Sequence, residues 1–196
     1  MKTIVIATKN KGKIKEMIKE FADLPVNVRA LTELGNLPDA IENGNSFAEN
    51  ALLKAKFYAE KTGTACIADD SGLEIDELDK RPGIYSARFA GEPSNDMANN
   101  KKMLSELNRK NVKESSARYK CVLVFYDIDG TKLQAEGICE GKIRLLKKGN
   151  NGFGYDPYFF IGDKSMAELS IEEKNKISHR GKAIRKIKQL LSGYLL

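Results

Sequence analysis

From Ser115 to Tyr126 apolar and polar side chains alternate, with Ala117, Tyr119, Cys121, Leu123 and Phe125 on one face. After the turn pair Asp129-Gly130, a second run, Thr131 to Glu140, returns. A period of two buries one face only in a strand, and an Asp-Gly turn between two such runs joins them as a hairpin. Any fold of this chain must therefore hold a long two-stranded ribbon. The N-terminal part has another rhythm. Thr3 to Ala7 is a short apolar run that fits a buried strand. It stops at the polar loop Thr8-Lys9-Asn10-Lys11-Gly12-Lys13, and Ile14, Met17, Ile18 and Phe21 follow at helical spacing. Strand–helix units beside a hairpin predict an α/β domain with a mixed sheet, one domain spanning residues 1–196.

Asn27 to Leu31 reads as a second strand. Ser46, with Glu49 three residues on, is a capping box for a helix that ends near Gly63. Phe47, Ala51, Ala55, Tyr58 and Ala59 make its apolar stripe, and Glu49, Lys56 and Glu60 face water. Ser94 to Leu107 reads as a further helix. The final one starts near Ser178 and carries Ile184, Ile187, Leu190 and Leu191. Repeats, linkers and low-complexity segments are absent.

With 196 residues, 41% hydrophobic and 31% charged, the composition is that of an ordinary globular chain. The net charge of +6 is spread out and biases the surface toward anions, without the basic stripe of a nucleic-acid binder. Cys66, Cys121 and Cys139 lie apart in apolar segments and read as reduced core residues, which suits a cytoplasmic protein. No stretch reaches the length of a membrane span, and the chain enters its first strand without a leader. His179 is the only histidine, so a zinc site of several histidines is excluded.

The run Ala68-Asp69-Asp70-Ser71-Gly72-Leu73 sets two carboxylates side by side where the apolar segment Thr64 to Ala68 is expected to break at a Ser-Gly turn. Such a pair is costly unless a cation or proton shares it, which points to a divalent metal and to hydrolysis or phosphoryl chemistry. The same residues also make a good solvated turn. The loop before the first predicted helix offers backbone N–H groups to a phosphate. Glu42 lies in a loop, where a carboxylate can be aimed at a site. The glycine-rich segment Gly149 to Pro157, with Phe153 and Tyr155, can form a pocket for a flat ring such as a nucleobase, or simply a packed loop. Ser178-His179-Arg180-Gly181 offers donors to a base carbonyl or phosphate, or caps a helix.

Taken in order, Thr8-x-Asn10-x-x-Lys13, Ser46-Phe47-x-Glu49-Asn50-Ala51, Asp69-Asp70-Ser71-Gly72-Leu73 with Pro82-Gly83-Ile84-Tyr85-Ser86-Ala87-Arg88, Gly152-Phe153-Gly154-Tyr155-Asp156-Pro157 and Ser178-His179-Arg180-Gly181 closely resemble the inosine and xanthosine triphosphate pyrophosphatase family. The likeness covers almost the whole chain. It implies an elongated mixed β-sheet with flanking helices, two lobes around a central active-site cleft, and a homodimer. It also implies Mg²⁺-dependent hydrolysis of small-molecule purine nucleoside triphosphates (ITP, dITP and XTP) between the α and β phosphates, clearing them from the nucleotide pool.

Carried over by position, the loop Thr8, Lys9, Asn10, Lys11, Gly12 and Lys13 holds the triphosphate, with Lys54 and Arg88 as further phosphate-facing residues. Glu42 and Asp70 are the implied metal ligands, Asp70 the proton acceptor for the attacking water, and Ser71 a substrate contact. Phe153, Gly154, Tyr155, Asp156, Lys174, His179 and Arg180 form the implied base pocket. Donors from His179 or Arg180 would meet O6 of hypoxanthine or xanthine and leave the amino group of adenine unpaired. A Maf-like nucleotide pyrophosphatase is the nearest enzymatic alternative, and the His-Arg pair and the Gly-Phe-Gly-Tyr-Asp-Pro run argue against it. A non-catalytic nucleotide- or RNA-binding protein is the alternative of another class. The carboxylate pair would repel its phosphates without a metal.

Overall fold

The computed structural model describes residues 1–195. Strands β1 (Lys2–Ile6), β2 (Val26–Ala30), β3 (Ala65–Ile75), β4 (Glu114–Tyr126), β5 (Lys132–Arg144), β6 (Phe159–Ile161) and β7 (Lys164–Ser165) form a seven-stranded sheet in the order β2-β1-β3-β4-β5-β6-β7. β1 is parallel to β2 and β3, while β6 is antiparallel to β5 and β7. The sheet is mixed and flanked by helices, as the sequence predicts. The helices are α1 (Lys11–Phe21), α2 (Phe47–Thr62), α3 (Asp96–Arg109), α4 (Ile171–Ile177) and α5 (His179–Leu195). No described helix is long and apolar enough to cross a membrane.

The chain divides into two compact units. The first comprises residues 1–70, 121–137 and those from 182 onward, and the second residues 71–120 and 138–181. In the first unit, Ile4, Ile6, Ala65 and Ile67 share a cluster with Met17 and Phe21 of α1 and with Ala183, Ile184, Ile187 and Leu191 of α5. The alternate residues Val5 and Cys66 are buried as well. Cys66 lies 3.8 Å from the Thr62 hydroxyl at the end of α2. Strands covered on both faces must be apolar on both, so β1 and β3 read as runs. The stripe Phe47, Ala51, Ala55, Tyr58 and Ala59 of α2 is buried in full. Ser46 caps α2 by accepting the Glu49 N–H at 3.2 Å, and Gly63 ends it at φ 61°. The Glu49 carboxylate reaches the Asn45 N–H at 2.6 Å, one residue beyond the predicted box. Two predicted core positions are on the surface: Ile18 and Leu190 are 40% and 44% exposed. Each adjoins a buried residue, Met17 and Leu191, and one step along a helix turns a side chain by about 100° away from its neighbour.

The second unit has its own core, where Leu73 and Ile75 meet Met103 and Leu107 of α3, Tyr119, Cys139 and Phe159. β3 overturns one expectation. It runs unbroken through Ser71 and Gly72, with no turn there. Leu73 and Ile75 are fully buried, and the Leu73 N–H is held by the Ser86 hydroxyl at 2.8 Å. Tertiary partners thus keep extended a Ser-Gly pair that in isolation favours a turn. Helix α4 has no counterpart in the sequence reading. It is seven residues long, with Ile171 and Ile177 50% and 37% exposed, so it carries no apolar stripe to detect. All three cysteines are buried, and none forms a disulfide.

Ser178 separates α4 from α5 and accepts the Gly181 N–H on its hydroxyl at 3.1 Å. A Cβ at Gly181 would lie 1.8 Å from the Asn175 carbonyl oxygen, so α4 and α5 approach through a gap only glycine leaves. We expect Gly181→Ala to destabilise the chain by about 3 kcal/mol, as overpacking against fixed backbone does. Chemical denaturation checks this, and an unchanged midpoint would refute the close approach.

Candidate functional site

In the first unit, the loop after β1 is organised by its own side chains. Asn10 caps α1, its amide oxygen accepting the N–H groups of Gly12 and Lys13 at 3.0 and 3.1 Å, and the Thr8 hydroxyl accepts the Asn10 N–H at 3.2 Å. The Gly12 and Lys13 N–H groups expected to cradle phosphate are therefore engaged within the loop. What the loop presents to an anion is the charge of its lysines. Lys9 is drawn aside to Asp39 at 2.7 Å, and Lys11 is exposed. Lys13 turns inward, its ammonium 2.9 Å from the Asp69 carboxylate, which has no exposed surface.

Lys54, on α2, completes a mixed-charge cluster. Its ammonium lies 3.0 Å from the Glu42 carboxylate and 3.1 Å from the Asp69 carbonyl oxygen. Burial pulls its pKa down, but Glu42, Asp69 and Asp70 outweigh that and hold it above the usual lysine value. Asp70 shows the opposite balance. Burial pushes its carboxyl up, Lys54 and Lys13 pull it down, and Glu42 and Asp69 push it up again, leaving it at about 6. Burial is the largest of these causes and the adjacent Asp69 the smallest. Successive side chains of a strand diverge, so adjacency in sequence is not the main source of the shift.

The donor chemistry of Glu42 and Asp70 fits Mg²⁺. Each raises the energy of the other's ionised form, and a cation between them would relieve it. Among the described residues no three His, Cys, Asp or Glu side chains gather into a metal site.

The second unit holds the aromatic and cationic set. Asp156 is its hub. One carboxylate oxygen accepts from the Lys174 ammonium at 2.8 Å and from the Phe153 N–H at 3.0 Å, and the other from the Tyr119 hydroxyl at 3.3 Å. Gly152 allows this, since its φ is +78° and a Cβ there would meet the Asp156 carboxylate at 2.1 Å. Tyr155 is buried and donates to the Ser86 carbonyl at 2.8 Å. Phe153 stays 37% exposed, with Lys174 and Arg180 at 4.7 and 5.7 Å from its ring centre. Arg180 also donates to the Ser71 hydroxyl at 3.2 Å. The His179 ring stacks on Tyr119, centres 4.7 Å apart and planes within 11°.

Lys13, Glu42, Lys54 and Asp70 thus come together in one unit, and Ser71, Phe153, Asp156, Lys174, His179 and Arg180 in the other. Arg88 also belongs to the second unit, its guanidinium 5.4 Å from the Tyr85 ring. Tyr155 and Asp156 shape the loop from beneath. Tyr119 was legible only as a strand core residue. Its phenol titrates well above the usual tyrosine value because it is buried and faces Asp156. The available signal was chemical, because a buried hydroxyl needs a polar partner.

A sequence model of the Ham1 family matches residues 4–190. The dITP/XTP pyrophosphatase of Bacillus licheniformis is 46% identical over 193 residues, covering 97% of this chain and 98% of that protein. That of Bacillus anthracis is 44% identical over 200 residues, covering 100% of this chain and 99% of the relative. Among solved structures, the Ham1 protein of Staphylococcus aureus superposes with a TM-score of 0.87 at 42% identity, over 98% of this chain and 100% of the other. A HAM1 protein of Coxiella burnetii gives 0.90 at 38%, again over 98% and 100%. The motif resemblance is borne out: with matches running nearly end to end, this chain belongs to the Ham1 family.

Proposed function

We propose that this chain is a nucleoside triphosphate pyrophosphatase that hydrolyses dITP, ITP and XTP to the monophosphate and pyrophosphate. The names of its relatives support the reaction class. The observation that carries the reading is the charge cluster of the first unit, where the Lys13 ammonium lies 2.9 Å from the Asp69 carboxylate and the Lys54 ammonium 3.0 Å from that of Glu42, with the buried Asp70 next along the strand. An ionised carboxylate at that position can take the proton of the attacking water. The attacking oxygen forms a bond to the α phosphorus while the bond to the α–β bridging oxygen breaks. Pyrophosphate leaves, and the proton goes to Asp70. Lys13 and Lys54 place positive charge where the leaving phosphates gather negative charge. Mg²⁺ held by Glu42 and Asp70 would supply further charge neutralisation on the phosphate oxygens.

Base selection falls to the second unit. Phe153, partly exposed, offers a stacking surface for a purine, with the cations of Lys174 and Arg180 over its ring. Arg180 has only N–H donors. Facing an O6 acceptor it is satisfied, and facing the adenine amino group it is not. We assign the protein to the cytoplasm, in keeping with three buried cysteines outside any disulfide. We also expect a homodimer, which sedimentation would reveal.

With Mg²⁺ and equal ITP, XTP, GTP and ATP, the expected products are IMP and XMP with pyrophosphate, and little from GTP or ATP. Release of inorganic phosphate with a diphosphate would overturn the bond assignment. Asp70→Asn should lower kcat by roughly 10²- to 10⁴-fold, the usual worth of a general base. The same substitution should stabilise the fold. Asp70 holds its proton up to about pH 6 when folded, against its ordinary 3.8. Folded stability therefore falls as pH rises between those values, and above them the ionised carboxylate costs about 2 to 3 kcal/mol. Asp70→Asn should accordingly raise Tm at pH 8 without metal and leave it unchanged near pH 4. Equal Tm values at both would show that burial of the charge carries no penalty.

A further inference from the structure

Helix α3 begins beside neither of the two side-chain sets by sequence, yet its first turns hold two segments that carry predicted substrate contacts. The Asp96 carboxylate accepts the Gly154 N–H at 2.8 Å, and the Asn100 amide donates to the Gly154 carbonyl at 2.8 Å. One helical turn thus grips both polar groups of the residue that follows Phe153. The Asn100 nitrogen also donates to the Asp96 carbonyl at 2.9 Å. With two carbonyl oxygens as neighbours, only the nitrogen can face them, which decides the orientation of the amide. Its oxygen is left buried without a hydrogen-bond partner. Both amide hydrogens are thus spent on Gly154 and on the helix's own first turn, while the unpartnered oxygen costs stability.

The preceding residue points to the other segment. Asn99, buried, accepts the Ala90 N–H at 2.7 Å and donates to the Ala87 carbonyl at 2.9 Å. These two bonds straddle Arg88 and fix the backbone on both sides of it. Two consecutive asparagines thereby tie down a residue assigned to the base and a residue assigned to the triphosphate.

We propose that Asp96, Asn99 and Asn100 are positioning residues, a bracket in which Asn100 sets Phe153 for base selection and Asn99 sets Arg88 for the phosphates. The proposal rests on the function assigned above. Asn100→Ala should cut the kcat/KM preference for ITP over ATP by roughly tenfold or more, with inhibition by pyrophosphate unchanged. Asn100→Asp, which keeps the shape and loses the donor, should do the same and guards against a simple packing defect. Asn99→Ser should raise KM for ITP and ATP together and weaken pyrophosphate inhibition, with the preference kept. Hydrogen exchange at the Gly154 amide should quicken in the Asn100 variants and not in Asn99→Ser. An unchanged preference in both Asn100 variants, or a uniform loss on all substrates with no change in Gly154 exchange, overturns the bracket. Wild-type protein that turns over no purine triphosphate overturns the assigned reaction instead, and the exchange measurement then decides the bracket by itself.

Discussion

Asp69 has no exposed side-chain surface and Asp70 almost none, and both lie within a strand. A chain cannot bury two carboxylates without supplying countercharge, and this single demand explains how the first unit is arranged around them. Lys13 must turn in from α1, and Lys54 must reach across from α2 to Glu42 and to the Asp69 backbone. The Asn10 cap and the Ser46 cap matter for this reason, because they fix where those two helices begin and hence where each lysine stands. The compensation is incomplete at Asp70. Its carboxyl remains at about 6, so the fold carries a destabilising group there.

The second unit solves another problem by similar means. Its glycine-rich loop has no regular hydrogen-bond ladder, and the Asp156 carboxylate substitutes for one by collecting Phe153, Lys174 and Tyr119. The loop is held by these bonds while Phe153 stays partly exposed. The cations of Lys174 and Arg180 over that ring add cation–π attraction to the bonds that hold the loop. The first unit gathers carboxylates and ammonium groups, and the second gathers aromatic faces and fixed donors.

Periodicity and composition were enough for the mixed α/β class, the hairpin, the stripe of α2 and the three buried thiols, because each is set by local alternation or helical spacing. The ordered motifs were enough for the family. Where local rules failed, tertiary partners had won. Ser71-Gly72 stays extended because Leu73 and Ile75 enter a core and Ser86 holds the backbone, and α4 escaped notice because it buries Lys174 and Asn175 rather than an apolar stripe. The loop after β1 shows the same dependence. Whether an N–H is available depends on which side chain reaches it, and Asn10 reaches two.

The amino-acid sequence by itself determined which residue types are present for the chemistry: the paired aspartates, the lysines, the glycines that let the backbone come close, and the one histidine. Only the tertiary structure decided their states. The raised carboxyl of Asp70, the inward turn of Lys13, the stacking of His179 on Tyr119 and the grip of α3 on Gly154 all depend on burial and on partners far away in the chain. Those quantities arise when water is excluded and distant groups meet, and no spacing along a chain encodes them directly.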